Sequence, residues 1–126
     1  MYKFSKRSKK NLKQVHPDLV KVMKAAIKIT PIDFGIIEGL RTYERQEKLY
    51  ATGASWTMKS KHLANADGLS EAVDIAAFVD GQLRWDWPLY DQLAVVIKQV
   101  AEDLGIKIIW GGDWLKYRDG PHYQLA

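Results

Sequence analysis

Apolar residues recur at helical spacing in two stretches of the chain. In the first, Leu19, Val22, Met23, Ala26 and Ile27 share one face, and Pro17-Asp18 supplies a helix start near residue 17. Thr30-Pro31 closes that helix, because the residue before a proline is pushed out of the helical region. In the second, Leu89, Leu93, Val96, Ile97, Val100 and Leu104 form a stripe over residues 88–104, with Gly105 placed to end it. A shorter helix is expected from the capping residue Thr42 to about Ala51, stopped by Thr52-Gly53. Short apolar runs between these read as strands: Phe34 to Glu38, Ala72 to Val79, Ile106 to Trp110 and His122 to Leu125. Gly39 marks a bulge or a close approach, and Asp80-Gly81 is a turn leading into a hairpin partner at Gln82 to Trp85. Gly111-Gly112-Asp113 is a further turn. Residues 53–71, rich in Gly, Ser, Asn, Asp and Lys, read as one long loop, and long loops in compact domains are often functional. No regular βαβ alternation appears, so the expectation is an α+β fold with a small, mainly antiparallel sheet packed with helices.

Length and composition narrow the picture. The 126 residues suit one domain spanning 1–126, and 47% hydrophobic with 27% charged residues is an ordinary globular balance. Cysteine is absent, so disulfides and thiolate ligands are excluded and any metal must be held by His, Asp or Glu. The net charge of +4 is concentrated at Lys3, Lys6, Arg7, Lys9, Lys10 and Lys13. That segment reads either as a solvated basic arm or first turn, or as an attraction to an anionic polymer such as nucleic acid, teichoic acid or peptidoglycan. No recognition-helix or zinc-finger pattern supports nucleic acid as the partner. The basic start runs into a mixed, polar stretch, so no secretory signal is expected, and no stretch approaches the roughly 18 apolar residues of a membrane span.

Candidate chemistry lies in two of the three histidines. Asp74 interrupts the apolar run Ala72-Val73-Asp74-Ile75-Ala76-Ala77-Phe78, and an acid in a core strand is costly unless paired or bound to a cation. It faces solvent on an edge strand, pairs with Arg41, or binds a metal. His62, in Ser60-Lys61-His62, and His122, in Asp119-Gly120-Pro121-His122, are each weak signals alone. Together with Asp74 they form a set of two imidazoles and one carboxylate, which suits Zn²⁺ with a position left for water. Asp119 is either a plain turn acid or a proton carrier beside that set. Trp110, Trp114, Tyr117 and Tyr123 are either core packing or a groove wall. His16, before Pro17, reads as the approach to the first helix and not as a ligand.

These motifs resemble the LAS group of zinc peptidases: D-alanyl-D-alanine carboxypeptidases and dipeptidases, and phage L-alanyl-D-glutamate endopeptidases. Ser60-Lys61-His62, Ala72-Val73-Asp74 and Asp119-Gly120-Pro121-His122 match the family pattern in order, and Ile37-Glu38-Gly39-Leu40-Arg41-Thr42 looks like its strand-turn with an Arg-Thr pair. The likeness runs from about Val15 to Leu125 and is closest to compact phage and prophage endolysins. One departure is the spacer between His62 and Asp74, which reads as a loop insertion and brings in Asp67 and Glu71 as rival ligands. The resemblance implies a zinc site in a groove on the sheet, with His62, Asp74 and His122 as ligands and Asp119 as general base. Arg41 then stabilises an oxyanion or anchors a substrate carboxylate, and Ser60 orients a ligand or contacts substrate. The implied activity is hydrolysis of a peptidoglycan stem-peptide amide, between L-Ala and D-Glu. The alternatives are D-Ala-D-Ala carboxypeptidase or dipeptidase activity, or a non-catalytic cell-wall-binding module. A phage origin implies a monomer held in the host cytoplasm until holin-assisted release lets it act on the wall.

Overall fold

The apolar run at residues 72–79 becomes the strand around which the sheet is built. A computed structural model describes residues 1–126, in the order α1 (Lys6–Leu12), α2 (Pro17–Ile29), β1 (Asp33–Glu38), α3 (Tyr43–Ala51), β2 (Ala72–Val79), β3 (Gln82–Arg84), α4 (Trp87–Leu104), β4 (Ile108–Trp110) and β5 (His122–Leu125). A 3₁₀ turn, Gly111–Asp113, follows β4. The sheet runs β1-β2-β5-β4, and β3 pairs with the far end of β2 beyond β5. Every strand pair is antiparallel, so the fold is α+β as expected.

Alternation along β2 sends Val73, Ile75 and Ala77 to one face, where α2 and α4 cover them. Twenty buried residues form this core, including Leu19, Val22, Met23, Phe34, Leu93, Ile97 and Tyr123. Each large side chain there contributes about 1.5–3 kcal/mol relative to exposure. All five stripe residues of α2 are buried, and the helix begins at Pro17 as expected. His16 caps it, its Nδ1 accepting from the Asp18 amide at 3.1 Å. In α4 the buried face is rotated relative to the expected stripe: Tyr90, Ala94 and Ala101 join Leu93, Ile97 and Val100, while Leu104 is exposed. The stripe overlooked Tyr90 and the two alanines, whose burial a large-apolar pattern does not show.

Two expectations need correction. The basic start is neither an arm nor a single turn. It forms α1, capped by Ser5 and seated on β1 through Ser8, whose hydroxyl accepts from the Ile36 amide at 3.0 Å. Only Ser8 and Leu12 are buried in it, too few to leave an apolar period in the sequence. The strand expected from Ile106 begins only at Ile108. Residues 53–71 contain no helix or strand, as expected, yet they are tightly turned. The Asn65 side-chain oxygen accepts from the Asp67 and Leu69 amides at 2.9 and 3.0 Å, and Ser70 bridges to Val15. Gly39 is a close approach, and the bulge expected there lies earlier, inside β1. The β1–β2 register shifts between Ile36 and Glu38, and a Cβ at Gly39 would lie 2.2 Å from the Asn11 carbonyl oxygen.

Candidate active site

Strand register brings the polar groups together. Asp74 on β2 is paired with Glu38 on β1 and with His122 on β5. Directly paired residues project from the same face, so Glu38, Asp74 and His122 form a row across three strands, on the face away from α2 and α4. Gln124, two residues beyond His122, joins that face. The turn at residues 60–63 delivers His62 from the long loop. The Ser60 hydroxyl accepts from the His62 amide at 3.1 Å, and the Leu63 amide donates to the Ser60 carbonyl at 3.1 Å. Ser60 therefore shapes the backbone that carries His62. Donor atoms of His62, Asp74 and His122 all lie within 4.8 Å of one another. Asp67 and Glu71 lie outside the cluster. Asp67 is exposed in the Asn65 turn, and Glu71 pairs with Lys61 at 3.3 Å and accepts from Asn65 at 2.9 Å.

The hydrogen bonds around this cluster fix where its lone pairs point. His62 Nδ1 lies 2.8 Å from the Gly39 carbonyl oxygen, which can only accept, so Nδ1 carries a proton and Nε2 is the nitrogen turned to the site. Nε2 is buried, has no hydrogen-bond partner, and lies 3.2 Å from Asp74 Oδ1. On His122 the roles are reversed: Nε2 faces the Gln124 side-chain oxygen at 2.8 Å, and Nδ1 is turned to the same Asp74 oxygen at 3.3 Å. Two imidazole nitrogens and a carboxylate thus converge in a buried place. A buried carboxylate needs positive charge beside it, and a metal ion between these groups would supply it. The set fits a metal ion, and the outward hydrogen bonds are those that orient metal-bound histidines. Burial works to raise the Asp74 carboxyl, but contacts with His122 and His62 outweigh it and hold the group well below the usual carboxylate range.

Arg41 enters from the loop after β1. Its Nε donates to Glu38 Oε1, one terminal nitrogen donates to Gln46 Oε1 at 2.8 Å, and the other stands 3.5 Å from Asp74 Oδ2. Glu38 also holds Arg45 through its second oxygen at 2.9 Å. Gln46 is fully buried, and its amide donates to the Ser55 hydroxyl and the Thr57 carbonyl at 2.8 and 2.6 Å. Arg41 is therefore tied to β1, α3 and the long loop at once. With most of the fork engaged, no two-pronged edge is left for a substrate carboxylate, and that part of the expectation for Arg41 is set aside. The pairing of Asp74 with Arg41 expected as an alternative to metal binding is present, alongside both histidines.

Asp119 is positioned by close backbone packing. Its amide donates to the Gly111 carbonyl at 3.0 Å, and its own carbonyl accepts from the His122 amide at 3.2 Å. A Cβ at Gly111 would lie 2.4 Å from the Asp119 carbonyl oxygen and 3.1 Å from the Cβ atoms of Asp119 and His122. Burial raises the Asp119 carboxyl above its ordinary range and the charge of Asp74 adds to this, while His122, His62 and Arg41 pull the other way. A carboxylate raised in this manner is a better proton acceptor near neutral pH.

The four aromatic residues divide. Trp110 and Tyr123 are buried in the core, with the Trp110 indole donating to the Gly120 carbonyl at 2.7 Å. Trp114 lies against the His122 ring at 5.0 Å between centroids. Tyr117 is exposed and stacks on Trp56 of the long loop at 5.6 Å, so two loops meet beside His122. Sequence reasoning overlooked Gln46, Arg45, Trp56 and Gln124. Only Gln124 had a readable signal, because a residue two positions from a strand ligand shares its face.

A sequence model of the family described as phage L-alanyl-D-glutamate peptidase matches residues 1–124. The chain is 34% identical over 117 residues to the L-alanyl-D-glutamate peptidase of Escherichia phage T5, covering 90% of this chain and 82% of that one. It is 33% identical over 117 residues to the peptidoglycan L-alanyl-D-glutamate endopeptidase CwlK of Bacillus subtilis (strain 168), covering 82% of this chain and 66% of that one. Among solved structures it is similar to the L-Ala D-Glu endopeptidase ChiX of Serratia marcescens, with a TM-score of 0.89 at 41% identity, covering 98% of this chain and 89% of that one.

Proposed function

The chain belongs to the phage L-alanyl-D-glutamate peptidase family, and from that premise we propose that it hydrolyses the L-Ala–D-Glu amide of peptidoglycan stem peptides at a zinc site held by His62, Asp74 and His122. The observation that carries this reading is the convergence of two imidazole nitrogens on one Asp74 oxygen, with a second, raised carboxylate nearby. Two imidazoles and one carboxylate without thiolate are a donor set that suits zinc in hydrolytic sites. Zinc bound there supplies Lewis acidity toward the amide carbonyl and lowers the pKa of water.

The remaining steps belong to the chain's own groups. Asp119 accepts a proton from the attacking water and returns it to the departing amine. The Arg41 nitrogen that faces Asp74 is placed to stabilise negative charge growing on the carbonyl oxygen. Ser60 and the Gly39 carbonyl hold His62, and Gln124 holds His122, so that neither ring turns during turnover. Within the same proposal the enzyme serves phage lysis. It acts as a monomer, waits in the host cytoplasm, and meets the wall after holin-assisted release. The phage relative supports that setting.

Metal analysis of the purified protein, read beside product analysis of digested muropeptides, tests the core of the proposal. The expected result is zinc in the wild type, its loss in His62→Ala and His122→Ala, and products with new D-Glu amino termini. Asp119→Asn should keep zinc while hydrolysis falls about 10²–10⁴-fold, the usual contribution of a positioned general base. Zinc retained by both histidine variants would overturn the site, and release of free D-Ala would replace the endopeptidase with a carboxypeptidase.

A further inference from the structure

A pocket of about 200 Å³, which shares Asp119 with the site, is lined by Trp85, Trp87, Tyr90, Arg118, Asp119 and Pro121, among others. It is smaller than a typical drug-sized cleft and suits a group the size of one amino-acid residue. Its walls are rigid. The Tyr90 hydroxyl accepts from the Ala77 amide at 3.0 Å and donates to the Arg84 carbonyl at 2.7 Å, and Trp85 stacks on the Tyr90 ring. Trp85 and Trp87 are nonetheless each at least 41% exposed, which a purely structural role in the core does not explain.

Arg118 is the informative residue. Its guanidinium lies 4.5 Å from the centre of the Trp87 ring, and its Nε donates to the Gly112 carbonyl at 2.8 Å. Those two contacts hold the planar group in place. The ion pairs of the chain do not include Arg118, and both terminal nitrogens lack a protein acceptor. A fixed guanidinium with its terminal fork unused matches a carboxylate ligand. Arg41, by contrast, spends its fork on Glu38, Gln46 and Asp74.

The position of Asp119 says which part of a substrate meets this pocket. A general base that returns its proton to the leaving amine lies on the leaving-group side of the amide. For an L-Ala–D-Glu bond the leaving nitrogen belongs to D-Glu. Stem peptides continue through the γ-carboxyl of that residue, so its α-carboxylate hangs free on the carbon that bears the nitrogen. We propose that Arg118, presented by Trp87, binds the free α-carboxylate of the D-Glu residue and makes the enzyme discriminate against stems in which that group is amidated. This rests on the endopeptidase reading above.

The test uses the zinc-loaded full chain and two synthetic substrates, N-acetyl-L-Ala-γ-D-Glu-L-Lys and its α-amide. The wild type is expected to prefer the free acid by about tenfold or more in kcat/KM, mainly through KM, as suits a charge-assisted two-pronged contact. Arg118→Gln should raise KM for the acid by about that factor, leave the amide unchanged and so erase the preference. Arg118→Lys should restore part of it, and thermal melts of the variants separate a lost carboxylate contact from a disturbed Gly112 turn. An Arg118→Gln variant that keeps the preference, or that loses both substrates equally, overturns the assignment while leaving the peptidase reading intact. So does a wild type that cuts acid and amide alike. A zinc-loaded wild type that cuts neither overturns the peptidase reading and this assignment with it.

Discussion

Gln124 decides which nitrogen of His122 faces the site. By accepting from Nε2 at 2.8 Å, its side-chain oxygen leaves Nδ1 free to point at Asp74. Gln124→Leu removes that acceptor with little change in volume. Metal affinity should fall about 10–100-fold, the usual effect of losing the group behind a ligating histidine, while the metal-free protein melts near the wild-type temperature. Competition with a chromophoric chelator measures this, and Gln124→Glu, which keeps an acceptor, should lose less. Equal affinity in Gln124→Leu and wild type would argue that the ring is oriented by Trp114 instead. At this scale His62, Asp74, His122 and Asp119 were readable because each is a residue whose chemistry is unusual for its place. Gln46 and Gln124 were not, since a glutamine has no signature until its neighbours are known.

Among the elements, the tight turn between β4 and β5 has the most consequence for chemistry. Gly111 allows the backbone of Asp119 to pack against it, and any side chain there would collide with the Asp119 carbonyl. Gly111→Ala should displace the Asp119–His122 segment and cut activity at least tenfold, since a misplacement of about 1 Å can cost about 10²-fold. Overpacking of this kind typically costs about 1–3 kcal/mol, so the melting temperature should fall without loss of the fold. Activity assays beside calorimetry check the pair of effects, and full activity in Gly111→Ala would show that the turn has slack. Helices α2 and α4 were legible from period alone, because each buries one side against the sheet. Helix α1 was not, because it buries only Ser8 and Leu12 and meets β1 through the polar side chains of Ser8 and Asn11.

Over the whole molecule, the site ties together segments far apart in the chain. His62 comes from the long loop, Asp74 from β2 and His122 from β5, so a bound ion cross-links all three. Removal of metal should therefore lower the melting temperature and loosen residues 53–71 first, because they hold no helix or strand of their own. A ligand present at 100 times its Kd stabilises the folded state by about 2.7 kcal/mol, which sets the scale of the shift. Calorimetry before and after chelation, followed by reloading with zinc, measures it. Identical melts with and without metal would mean that the three groups hold no ion.

The sequence by itself determined the α+β class, the two long helices, the strand that carries Asp74, and the four residues to which the proposed chemistry is assigned. Helical and strand periods are local, and an acid inside an apolar strand announces itself. Tertiary structure alone decided that Glu38, Asp74 and His122 stand in one row, because register depends on strands distant in the chain. It also decided between Asp74 and its rivals, since Glu71 is spent on Lys61 and Asn65. And it separated two arginines that look alike in sequence: Arg41 is bound up by its neighbours, whereas Arg118 rests on Trp87 with its fork open. Availability of a charged group is a property of what surrounds it, and that is settled only when the chain has folded.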